Sequence, residues 1–177
     1  MNLTRYSTLS VLILVTAALR LLPHPPNFTP IAALALFSGA HLRNSYARFL
    51  VPLLALFLSD LVIGFHVLMP WVYGSFAATV ALGNVLRPGR SPRKLAIAGM
   101  SAAILFFVVT NFAMWAYSDT FPKTAIGLGA CYLAGLPFLA NEVLGDAFYL
   151  SILFGGWAFA EIRFITLREP VQMGSHS

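Results

Sequence analysis

The sequence predicts an all-α fold: a polytopic membrane bundle of six transmembrane helices with an extra short outer or re-entrant segment. Three observations carry that expectation. The 177 residues are 59% hydrophobic and only 10% charged, with a mean hydropathy of +0.81; an average soluble domain carries about 25% charged residues. Long apolar runs recur along the chain, separated by short turns marked by proline, histidine or arginine. The positive charges gather in alternate turns, the pattern expected of a multi-pass protein. Spans and turns use almost every residue. Residues 1–168 are therefore read as one transmembrane domain and 169–177 as a disordered tail.

The net charge of +5 belongs to loops on an anionic membrane rather than to a nucleic-acid surface, because no basic stretch is interleaved with aromatics. The single cysteine, Cys131, makes no intrachain disulfide and reads as a small packing residue. No zinc-type Cys/His spacing occurs, and no cofactor is expected.

Taken in order, residues 6–22 form an uncleaved first span, stopped by Pro23, Pro25 and Pro26. Thr29 and Pro30 open the second helix as N-cap and first helical residue. That helix, 31–42, is short for a span of about 20 residues, and its Ala and Ser-Gly content suits close packing inside the bundle. Residues 49–65 form the third span and 71–86 the fourth, the latter opening on Trp71 and Tyr73. After the basic loop 87–94 comes the fifth span, 95–117. Residues 124–140 are apolar but carry Gly127, Gly129, Gly135 and Pro137, and 141–162 form the last span.

Counting charge decides the role of 124–140. With six spans and a cytoplasmic N-terminus, Arg5, Arg43, Arg48, Arg87, Arg90, Arg93, Lys94, Arg163 and Arg168 lie inside. Only Arg20 and Lys123 lie outside. A seventh span would move Arg163 and Arg168 outside, so 124–140 reads as an outer or re-entrant segment. Both termini are then cytoplasmic in a bacterial inner membrane.

On this topology the polar groups collect in the outer third. His24 and Asn27 lie in the first outer loop; Asp60 and His66 end span three, and Trp71 begins span four. Asn111, Trp115 and Tyr117 end span five. Asn141, Glu142 and Asp146 begin span six. Polar groups at membrane depth are costly and are functional candidates by default. The residues assigned to an outward-facing substrate pocket are His24, Asn27, Asp60, His66, Trp71, Asn111, Trp115, Tyr117, Asn141 and Asp146. Each has a structural alternative. The carboxylates cap helices, Asn111 hydrogen-bonds between helices, the aromatics form an interfacial belt, and the histidines are solvated in turns.

The segments FTPIAALALFSGA (28–40), SDLVIGFH (59–66), TNFAMW (110–115) and ACYLAGLPFLANEVLGDAFYLSILFG (130–155) resemble a family of small bacterial membrane proteins with no assigned chemistry. The architecture in turn resembles the substrate-binding S component of energy-coupling factor (ECF) vitamin transporters. That resemblance implies six helices, cytoplasmic termini and an outward pocket under the first, third and fifth loops. It also implies a vitamin-like small-molecule substrate and ECF-type transmembrane and ATPase partners. S components commonly carry a small-xxx-small motif in the first helix; here Ala77/Ala81 and Ala98/Ala102 place it in spans four and five.

The leading functional expectation is a substrate-binding subunit or small-solute transporter, not an enzyme. Aromatic walls with carboxylates suit a neutral or cationic heterocycle. No phosphate-binding loop exists, so a partner supplies the energy. Two alternatives remain. One is an assembly protein without a ligand, using the second helix as a partner interface. The other is a membrane enzyme with His24, Asp60, His66 and Asp146 around a metal, although no HExxH, paired-Asp or serine-elbow motif is present.

Overall fold

The computed structural model describes residues 3–87 and 91–168. Arg90 and the 169–177 tail lie outside the described residues. Six α-helices follow one another: α1 (Leu3–Ala18), α2 (Ile31–His41), α3 (Ser45–Ile63), α4 (Met69–Gly83), α5 (Pro92–Tyr117) and α6 (Ala125–Arg163). Tight 3-10 turns extend α1 (Leu19–Leu21) and α4 (Asn84–Leu86), and another, Ile165–Leu167, follows α6. No strand occurs among the described residues. Three helices, α3, α5 and α6, are long and apolar enough to cross a membrane.

Local chemistry sets the boundaries. Asn44 caps α3, its side-chain oxygen accepting from the N–H groups of Tyr46 and Ala47 at 2.9 and 3.0 Å. Gly64, at φ 108°, ends the same helix in a conformation few other residues adopt. Ser91 caps α5 with proline at the first helical position, and Thr124 caps α6. At α2 the expected threonine cap is displaced by one residue. Pro30 is the N-cap and no side chain caps the helix, because Thr29 is drawn into a turn around Asn27 (φ 63°).

Pro137 does not divide the last apolar region. The separate outer or re-entrant segment expected over 124–140 is instead the first part of α6, which runs unbroken for 39 residues. At 1.5 Å per residue that is about 58 Å, well beyond a hydrocarbon core of roughly 30 Å. Proline is tolerated inside a helix when neighbours hold it, and α5 does so on the amino side of Pro137. Tyr132 donates to the Val108 carbonyl at 2.9 Å, and Gly135 lets the Asn111 side chain sit against the α6 backbone. α5 and α6 thus form one long antiparallel hairpin closed by the turn 118–124.

All eleven residues of α2 are buried. The helix contacts each of the other five. Its tightest neighbour is α4, reached through two glycines. A Cβ on Gly39 would lie 2.1 Å from the Val80 carbonyl oxygen, and one on Gly83 would lie 2.5 Å from that of Leu36. On another side Phe37 meets Phe154 edge-on at 5.2 Å.

The start of α1 meets the end of α6 and the 3-10 turn that follows it at one end of the bundle. Arg5, 3% exposed, bonds Glu161 at 2.7 Å, reaches the Leu167 carbonyl and lies over the Trp157 ring. Arg48 bonds Asn84 at 2.6 Å, and Arg87 donates to the carbonyls of Gly39 and Leu42. Arg20 and Lys123 belong to the opposite end, where Lys123 caps α5 through the carbonyls of Trp115 and Ser118. Large apolar side chains stay exposed along α1, α3, α5 and α6, among them Val11, Val62, Ile104, Leu133 and Phe159.

The glycine crossing makes a testable prediction. Gly83→Ala forces α2 and α4 apart and costs about 1–3 kcal/mol. Gly74→Ala, on the same helix with nothing within 4 Å of the new methyl, leaves stability unchanged or raises it by up to about 1 kcal/mol. Thermal unfolding of the detergent-purified variants separates the two; equal effects would show that the crossing is not tight.

Candidate functional site

Because α2 is short, it begins deep in the bundle. Phe28, just before it, packs against Gly145 near the middle of α6, with the ring between Phe148 and Tyr149. Over the amino end of α2 lies a cavity of about 440 Å³. Ile31 and Ala32 of α2 line it, together with Arg20, Asn27 and Thr29 from the chain that joins α1 to α2. α4 contributes Val72 and Phe76; α5 contributes Phe106, Thr110, Asn111 and Met114; α6 contributes Phe138, Glu142 and Asp146. His66 and Leu68 come from the α3–α4 turn. Small-molecule sites have about this size and this mix of apolar walls with a few polar groups.

The carboxylates at this end are held in two different ways. Asp60, 2% exposed, is fully engaged. It pairs with the Arg20 guanidinium and accepts from the Tyr73 hydroxyl at 2.8 Å. Arg20 also donates to Ser59 at 2.7 Å, so one arginine ties the end of α1 to α3. Glu142 and Asp146 are 5% and 3% exposed, and each has a carboxylate oxygen that is buried without a hydrogen-bond partner. They stand four residues apart on one face of α6, side by side along the cavity wall.

Of the residues the sequence singles out, the cavity brings together Asn27, His66, Asn111 and Asp146. Asn111 holds its own helix, donating to the Phe107 carbonyl at 2.8 Å. The others lie around the cavity rather than in its wall. Asp60 stands behind Arg20. His24 places its two ring nitrogens 2.9 and 3.1 Å from the carbonyls of Pro25 and Arg20, and a hydrogen bond to either one holds the turn. Asn141 donates to the Pro26 carbonyl at 3.0 Å, strapping the first loop to α6. Trp71 and Tyr117 stack at 5.5 Å, and Trp115 donates to the Pro122 carbonyl at 2.9 Å. Among the described residues no three His, Cys, Asp or Glu side chains are grouped so as to hold a metal ion.

Two charged wall residues escaped the sequence assignment. Glu142 lies next to Asn141 in the same polar stretch, and its four-residue spacing from Asp146 was the available signal. Arg20 reads as a lone outer charge until Asp60 is seen opposite it. The family model of a family of unknown function, DUF6580, matches residues 1–170. The chain belongs to that family. No curated protein and no solved structure matches it.

The Arg20–Asp60 pair gives a second prediction. Arg20→Met leaves a buried carboxylate short of its counter-charge and costs about 3–5 kcal/mol. The double variant Arg20→Met/Asp60→Leu recovers most of the loss, since no unpaired charge remains. A double-mutant cycle on thermal stability tests this; additive losses would mean that the pair contributes no coupling.

Proposed function

We propose that this chain is a six-span protein of the bacterial cytoplasmic membrane that binds a small molecule in the cavity over α2. It acts as the substrate-binding part of a transporter. The exposed apolar side chains on the outer helix faces support a lipid-embedded bundle. The grouping of Arg5, Arg48, Arg87 and Arg163 at the end shared by the termini supports cytoplasmic termini. The cavity then opens to the opposite, outer side.

The observation that carries the binding role is the pair Glu142 and Asp146. Elsewhere in the described bundle, buried Arg5 and Asp60 are matched by partners of opposite charge. Two carboxylates beside a cavity of ligand size, each with a buried oxygen unpartnered, are a costly arrangement for a purely structural protein. The assembly reading accounts well for Asp60, Tyr73 and Asn141, which hold helices and loops together. It gives Glu142 and Asp146 nothing to hold. The resemblance to ECF S components implies six helices with an outward pocket under the first, third and fifth loops. A vitamin-like heterocycle and an energising partner follow from that resemblance.

Native mass spectrometry of the gently solubilised full chain tests the proposal. A small molecule copurifies at one per chain with the wild type. It is lost from Val72→Trp, which fills the cavity. Wild-type protein that carries nothing, and whose stability Val72→Trp does not lower, would point to the assembly role.

A further inference from the structure

The chemistry of the cavity narrows the class of its ligand. Three hydrogen-bond donors approach it. Arg20 is held by Asp60 and Ser59 on the far side of the wall. His66 sits exposed in the α3–α4 turn. The amino end of α2, uncapped by any side chain, contributes about half an elementary charge. None of these hydrogen-bonds the free oxygens of Glu142 and Asp146. A divalent metal ion is a poor match, since hard cations take six or more oxygen ligands, or nearly so with retained water. Here Asn27, Thr29, Thr110 and Asn111 add only neutral oxygens, and the rest of the remaining wall is apolar.

We propose that Glu142 and Asp146 form a recognition pair for a protonated nitrogen. The ligand is a small organic cation, an amine or cationic ring nitrogen on an apolar or aromatic body. The inference rests on the cavity being a ligand site. The nitrogen lies between the two carboxylates and donates a charge-assisted hydrogen bond to each. The body lies against Phe76 and Phe106, whose rings stand 5.2 Å apart and favour a neighbouring positive charge. Spacing on one helix face makes the pair a rigid clamp that needs no movement of a second element.

Three probes with the same ring separate charge from shape: phenethylammonium, 2-phenylethanol and 3-phenylpropionate. They are titrated into the full chain in lipid nanodiscs, with thermal stability as the readout. Phenethylammonium alone raises the midpoint, saturably and at millimolar concentration or below. Its apparent Kd rises at least tenfold in Glu142→Gln and in Asp146→Asn. Both variants, without any probe, unfold close to the wild-type temperature, because neither buried oxygen has a hydrogen-bond partner in the bundle to lose. That unchanged stability marks a recognition pair; structural carboxylates would lose stability on the same change.

A larger shift with the alcohol or the carboxylate overturns the cationic class. So does no shift with any of the three, because two charged hydrogen bonds and a buried ring exceed what millimolar binding requires. Either result leaves the cavity itself to be judged by the copurified molecule and Val72→Trp. If that molecule is present but carries no protonated nitrogen, the site stands and the assigned class falls.

Discussion

The length of α2 governs much of this molecule. Eleven helical residues span about 16 Å, roughly half of a hydrocarbon core. A helix so short, packed on every side, brings the α1–α2 loop down into the bundle and leaves space above it. Its position depends on the backbone contact at Gly39 and Gly83, where neither helix has room for a Cβ. The crossing that makes the core dense lies toward one end of α2, and the cavity lies over the other.

Charge distribution separates scaffold from site. At the end shared by the chain termini, buried Arg5 finds Glu161, a carbonyl and an aromatic face. At the other end Arg20, Asp60 and Tyr73 close a network among α1, α3 and α4. Asn141 and His24 spend their hydrogen bonds on loop carbonyls. All of these are contacts that order a fold. Glu142 and Asp146 depart from the pattern: each keeps a buried oxygen without a partner beside the cavity.

Helix number and rough boundaries are legible in the sequence because proline, glycine and arginine punctuate it clearly. The burial of the short second helix is legible too, from its Ala and Gly content and the lack of any charge. Pro137 misleads because its effect is decided by neighbours: α5 supports the helix on its amino side, which a reading of one segment does not reveal. The site is legible as a region and only partly as residues. Asn141, Glu142 and Asp146 are contiguous in polarity, yet a turn of 100° per residue sends Asn141 to the loop and its neighbour to the cavity. Asp60 is an equally buried carboxylate, and only the position of Arg20, forty residues earlier, distinguishes its role.

An experimental density map of the full chain, purified gently in native lipid, tests most directly whether the space over α2 is a binding site. The result expected is discrete non-protein density between Glu142 and Asp146, within hydrogen-bonding distance of both and flanked by Phe76 and Phe106. A cavity closed by neighbouring side chains, with Glu142 and Asp146 paired to groups of the protein itself, would contradict a ligand-binding role.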